Sequence, residues 1–190
     1  MAERASLGRL VEELNIEVDW RGFELHPETP KGGMELDRLH PDNTKQGMKE
    51  YIEQFAARFG VQDMKPIKRM PNSRRALAVA EFARDQGKLY EYHWQVLDAY
   101  WKEGKDIEDS TVLSTLAVAS GLDSDEAILA ADNPDYLNRV DAMRVEYQNV
   151  GVGGIPVFVF GSEQAIEGFR PYPILAATAV RAGAKPKDES

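Results

Sequence analysis

Hydrophobic positions recur along the chain with two different spacings, and the changes of spacing divide it into segments. Leu7, Leu10, Val11 and Leu14 fall three and four residues apart with charges between them, which predicts an amphipathic helix over 4–14. Ile16, Val18 and Trp20 then alternate with Glu17, Asp19 and Arg21, and Phe23 and Leu25 follow; a period of two predicts a strand over 16–23. From His26 to Asn43 three prolines and two glycines break both periods, and a long loop is expected.

From Thr44 to about Val150 the period is helical throughout, and six helices are expected. Thr44 caps a segment carrying Met48, Tyr51, Ile52, Phe55 and Phe59 on one stripe, which Gly60 ends. Asn72 caps the next, Ala76 to Arg84, with Gly87 as its stop. Leu89 to Trp101 sets Tyr90, Trp94, Leu97 and Trp101 on one side and ends at Gly104. Asp109 caps a helix ending at Gly121, and Asp123 with Glu126 reads as a capping box for a short helix to Ala131. Asn133-Pro134 opens the last helix, where Leu137, Val140, Met143 (or Arg144) and Tyr147 recur until Gly151. The period then changes again. Ile155 to Phe160 is a short apolar run, rich in β-branched and aromatic residues, that reads as a buried strand. Gly161-Ser162 turns it into a second strand over Gln164 to Glu167, so a hairpin is expected. A final helix runs from Pro171 to about Ala182, and the polar tail from Gly183 is expected to fray.

At 190 residues, 43% hydrophobic and 29% charged, the chain fits one globular domain or a domain carrying an insertion. No apolar run approaches the roughly 18 residues of a membrane span. Lys plus Arg total 23 against 32 for Asp plus Glu, and the net charge of −9 argues against nucleic acid as a partner. The N-terminal residues lack the apolar stretch of a secretory signal, so a cytoplasmic location is expected. There is no cysteine, which removes disulfides, thiolate nucleophiles, iron–sulfur clusters and cysteine-built zinc sites from these residues. His26, His40 and His93 show no ligand spacing, and no metal site is expected.

The strongest local signal is GVGGIPVFVF at 151–160. A proline at the mouth of a buried strand removes a ladder donor and is tolerated only at a strand start or edge. That placement points to special backbone geometry, of which a cis Ile155–Pro156 bond is one form, adopted by about 5–6% of X–Pro bonds. Taken with the element order, with Glu167-Gly168-Phe169-Arg170-Pro171-Tyr172 before the closing helix, and with VDWRGFELHPETPKGGM (18–34), RMPNSRRAL (69–77) and AYWKEGKDI (99–107), the chain resembles the DsbA-like branch of the thioredoxin fold, FrnE-type oxidoreductases in particular.

The resemblance implies an α/β, thioredoxin-like core formed by 1–43 and 151–190, with 44–150 as an α-helical insertion. It implies that Pro156 is the family's cis-proline, that Ile155 pairs its backbone with a polypeptide substrate, and that Gly154, Ile155 and Pro156 form the substrate-binding site. Glu24-Leu25-His26-Pro27 matches the turn after the second strand. The family's first strand and C-x-x-C motif have no counterpart here; the alignment places them just upstream of residue 1, and no catalytic residue is assigned. The missing strand is a central one, so exposed sheet edges and homodimer formation are expected.

Other residues have plainer readings. Asn72-Ser73 resembles the Asn-Ser opening of an inserted helix in glutathione-using kappa-class transferases and chromene-carboxylate isomerases, and Arg74 and Arg75 near a helix start could meet an anionic ligand such as a glutathione carboxylate, yet a helix cap and solvated charge are the better readings. Ser6 lies mid-helix without a base. His93 and the Tyr90, Trp94, Tyr100, Trp101 set read as packing before they read as a ligand cleft, and His26 and His40 as loop surface. Three functional expectations follow: a thiol–disulfide oxidoreductase whose reactive cysteines lie upstream; a cysteine-free peptide-binding module; and a glutathione-dependent isomerase or transferase with a hydroxyl in place of the thiol.

Overall fold

The computed structural model of the chain describes residues 3–35, 65, 69–149, 155–161, 164–168 and 170–187. The helix expected at 44–60, His40 and Gly154 lie outside them. The chain divides into two compact units, one formed by Met1–Asp19 with Tyr147–Ser190, the other by Trp20–Glu146. Residues 20–35 thus cluster with the helices that follow them. Among the described residues no helix is long and apolar enough to cross a membrane.

In the 20–146 unit, five of the six expected helices are described: α2 (Arg74–Asp85), α3 (Leu89–Trp101), α4 (Ser110–Ala119), α5 (Ser124–Ala131) and α6 (Pro134–Asn149), which runs on past Glu146. Their starts obey local chemistry. The Asp109 carboxylate accepts from the N–H groups of Thr111 and Val112, and that of Asp123 from Asp125 and Glu126. Asn72 holds the first turn of α2, its side-chain oxygen taking the Arg74 N–H at 2.9 Å. Helix α2 packs on α3 and α5, and α4 packs on α3 and α5. Between them lie Val79, Phe82, Tyr92, Leu113, Leu116 and Leu122, closed by the small residues Ala83, Ala117, Ala127 and Ala131. The alanines let helix axes approach without leaving voids.

The loop before the helices is fastened by hydrogen bonds more than by apolar contact. Both oxygens of the buried Glu108 carboxylate accept from the Gly32 N–H, at 3.0 and 2.8 Å, and the Asn72 amide donates to the Thr29 carbonyl at 2.6 Å. Gly33 sits at φ +76°, and a Cβ there would lie 2.5 Å from the Met70 carbonyl oxygen. This close approach brings β2 (Met34–Glu35) antiparallel to β3 (Arg69–Met70).

The strand expected over 16–23 does not form. Burial alternates from Ile16 to Arg21 as a strand's would, but no ladder pairs with the segment among the described residues. A period of two decides which side chains face inward; a strand needs a neighbour as well. What the 20–24 segment gains instead is side-chain anchorage: the Arg84 guanidinium donates to the Trp20 carbonyl, and the Trp20 ring stacks on His93 at 4.0 Å between centroids.

The other unit holds α1 (Glu3–Glu13), β1 (Leu14–Asn15), β4 (Val157–Phe160), β5 (Gln164–Glu167), α7 (Tyr172–Arg181) and β6 (Lys185–Pro186). Helix α1 packs on α7, burying Leu7 and Leu10 from one and Leu175 and Ala179 from the other. At their surface the Tyr172 hydroxyl donates to the Glu13 carboxylate, and the Arg9 guanidinium lies 3.9 Å from the Tyr172 ring centroid. The expected hairpin is present as β4 antiparallel to β5. The tail is more ordered than its polarity suggests, because Lys185–Pro186 pair with Leu14–Asn15. Here the backbone of β1 supplies the pairing that the tail's own side chains do not announce.

Leu113 is fully buried, whereas Val118, on the same helix, is 61% exposed. Leu113→Ala is expected to cost about 3 kcal/mol in urea unfolding and Val118→Ala less than about 0.5 kcal/mol. Equal losses would show that the core lies elsewhere.

Candidate functional site

The candidate site is the start and open edge of β4. Ile155 precedes the strand with 54% of its surface exposed, and Pro156, joined to it by a cis peptide bond, is half-buried. The Gly168 N–H donates to the Pro156 carbonyl at 2.8 Å, and the register then runs Val157–Glu167, Phe158–Ile166, Val159–Ala165 and Phe160–Gln164. In an antiparallel ladder, pairs that exchange hydrogen bonds alternate with pairs that do not. With 156 and 168 bonded, Phe158 and Ile166, and then Phe160 and Gln164, turn their backbone groups toward each other. Val157 and Val159 turn theirs away from β5, and Ala165 and Glu167 turn theirs away from β4.

Among the described residues no strand occupies the outer edge of β4. That edge offers N–H and C=O groups from Val157 and Val159, with the apolar side chains of Ile155 and of Val159, 63% exposed, beside them. Chemically it can add an extended chain through main-chain bonds and take apolar side chains in contact.

The sequence candidates in the 20–146 unit are already engaged. Arg74 grips Asp141 with two bonds of 2.7 and 2.6 Å and reaches Glu24 at 3.3 Å; Arg144 reaches the same Glu24 oxygen at 3.4 Å and Asp141 at 3.2 Å. Two guanidinium groups thus face two carboxylates, with the Glu24 side chain only 2% exposed. Arg75 grips Asp132 in the same two-pronged way, at 2.9 and 2.8 Å, and also donates to the Glu108 carbonyl and Ser110 hydroxyl. Neither arginine presents an uncompensated charge to an anionic ligand. Asn72 is spent on its cap and on Thr29.

The aromatic set packs as two ring pairs, Tyr90 with Trp94 at 6.1 Å and Tyr100 with Trp101 at 4.8 Å between centroids. Tyr90 is 57% exposed, while Trp94 is buried and meets Trp20 edge-on at 5.3 Å. Tyr100 packs against the helical core, where burial pushes its phenol up to about 12. His26 faces Glu28 at 3.0 Å on the loop surface, and His93 belongs to the Trp20 stack. Ser6 sits inside α1. Sequence reading passed over Asp141 and Arg144, because a salt-bridge network spanning 120 residues leaves no local spacing; their i, i+3 placement on α6 is its only trace.

The folded chain belongs to the DSBA-like thioredoxin domain family, whose family model matches residues 2–178. YwbO, an uncharacterized protein of Bacillus subtilis (strain 168), is 25% identical over 160 residues, which is 83% of this chain and 78% of that one. Among solved structures, the probable DsbA oxidoreductase SCO1869 from Streptomyces coelicolor matches with a TM-score of 0.83 at 19% identity, covering 95% of this chain and 83% of that one. A Nitrosomonas europaea protein described as a protein disulfide isomerase matches at 0.58 and 15% identity, over 74% and 77%. At these identities the two structures share a fold with this chain: thioredoxin-like, α/β, with a helical insertion. The family is thiol–disulfide oxidoreductase-like, and these 190 residues hold no cysteine.

The Asp141 carboxyl is held below its usual range, first by the hydrogen bond from Arg74, which burial opposes, and then by the lesser effects of the Arg74 and Arg144 charges. A depressed folded value means that its contribution is complete above the unfolded value of about 3.9 and is lost as pH falls through the folded one. Asp141→Asn is therefore expected to lower the melting temperature at neutral pH and to flatten its decline below about pH 4. A variant with the wild-type acid limb would remove Arg74–Asp141 as a source of acid sensitivity.

Proposed function

We propose that these 190 residues, which hold no cysteine, form a peptide-binding member of the family, of the FrnE type, which holds an extended polypeptide segment along the open edge of β4 at Ile155 and Pro156, with Gly154 just before them. The observation that carries this reading is the edge itself: outward backbone groups at Val157 and Val159 beside two exposed aliphatic side chains. Main-chain bonds give affinity for any extended segment, and Ile155 and Val159 add preference for apolar side chains. The substrate class is the one on which the family acts, unfolded or extended polypeptide. Thiol exchange by these residues does not accompany binding, since they contain no thiol.

An unfolded polypeptide with blocked thiols, carboxamidomethylated lysozyme, is the suitable probe. Saturable binding by fluorescence titration is expected, reduced about tenfold or more by Val159→Pro, which removes an outward N–H and leaves the hairpin bonds intact, and by Ile155→Asp. Disulfide-reductase assays on the same protein are expected to read background. Absence of binding, or binding indifferent to both substitutions, overturns the proposal.

A further inference from the structure

Beside the open edge of β4 stands a charged side chain. Successive side chains of a strand point to opposite faces, so Val157 and Val159 share one face of β4. Their partners in the ladder, Glu167 and Ala165, stand on the same face of β5. That face is open to solvent: Val159 is 63% exposed, and Ala165 and Glu167 are exposed as well. It carries one carboxylate among small and aliphatic side chains.

Several other carboxylates are committed within the fold. Arg74 holds Asp141 and Glu24, Arg139 holds Asp85, Arg9 holds Glu13, and Glu108 is spent on the Gly32 N–H. Among the described residues no hydrogen bond or ion pair holds the Glu167 side chain. Arg170 and Arg181 share a groove with it on the α7 side of β5, and β4 contributes nothing to the lining of that groove. On its other side Glu167 faces β4, a run of Val-Phe-Val-Phe that brings no charge.

An extended segment that bonds to the outward groups of Val157 sets one residue opposite it, and the side chain of that residue stands on the Val157–Glu167 face. Two strand spacings, about 10 Å, then separate its Cα from that of Glu167. A Lys or Arg stem can lie over Val157 and bring its cation to the carboxylate, with its methylenes against the valine. A residue two positions away in the segment stands opposite Val159 on the same face, where an aliphatic side chain is matched. The residue between them points to the opposite face. The net charge of −9 favours the same sign of ligand.

We propose that Glu167 is a specificity-determining residue of the β4 edge, selecting extended polypeptide segments that set a basic residue opposite Val157 and an aliphatic one, two positions away, opposite Val159. This inference rests on the β4 reading and narrows its substrate class.

The test uses the full chain and two fluorescein-labelled peptides, TVTKTVT and TVTETVT, whose sequences read alike in both directions, so that strand polarity leaves the pattern unchanged. Anisotropy is read at about 0.15 M salt, where distant charges are screened. Wild type is expected to bind the lysine peptide saturably and at least about threefold more tightly than the glutamate peptide. Glu167→Lys is expected to bring that ratio to one or below, with a melting temperature near that of wild type. Glu12→Lys makes the same change of net charge on α1 and is expected to leave the ratio alone. Equal binding of the two peptides by wild type, a ratio unchanged in Glu167→Lys, or one that falls equally in Glu12→Lys overturns the role of Glu167 and leaves the β4 site standing. No saturable binding of either peptide, or binding indifferent to Val159→Pro, overturns both.

Discussion

Backbone N–H and C=O groups must be paired or hydrated, and in this protein that requirement shapes the hairpin of the smaller unit. A two-stranded hairpin satisfies half of its own groups internally and turns the other half outward on both sides. The register of β4 and β5 fixes which half: even-numbered residues bond to each other, odd-numbered residues face away. The groups left open at either edge therefore follow from the same register that holds the hairpin together. The two edges differ in what accompanies the open groups, aliphatic side chains on β4 and the Glu167 carboxylate on β5.

The helical unit obeys another constraint. Its interior is closed by alanines against large aliphatic and aromatic residues, but its loops are held by carboxylates: Glu108 on the Gly32 N–H, Glu24 between Arg74 and Arg144. Desolvating Glu24 is costly, and the paired guanidinium groups offset that cost while remaining about a quarter exposed themselves. Such a network contributes geometry more than net stability, because each member is placed by the others.

The helices were legible because a 3.6-residue period, an aspartate cap and a glycine stop all lie within one segment; Asp109, Asp123, Gly87 and Gly121 each act where the sequence puts them. The β4–β5 hairpin was legible for the same reason, being two short runs and a turn. Whatever needs a distant partner was not. Residues 16–23 carry a strand's alternation without a strand's neighbour, and Lys185–Pro186 carry a neighbour without any alternation. Of the candidate site, Pro156 was visible as a proline at a strand's mouth and became a site residue, with Ile155, only through the resemblance to the family, but the outward direction of Val159 and Ala165 depends on one hydrogen bond, from Gly168 to Pro156, that fixes the phase of the ladder. Resemblance to the family supplied what periodicity lacked, namely that the helical block interrupts a thioredoxin-like core.

The aromatic stack has an optical consequence. All three tryptophans, Trp20, Trp94 and Trp101, belong to the 20–146 unit, and two of them sit 5.3 Å apart beside His93. Intrinsic emission excited at the indole band thus reports on the helical unit alone, and the unit carrying the hairpin is dark at that wavelength. Melting followed by tryptophan light watches that one unit, whereas far-ultraviolet dichroism sums the helices of both. A single indole introduced on the hairpin unit would add a signal from a region that otherwise emits none.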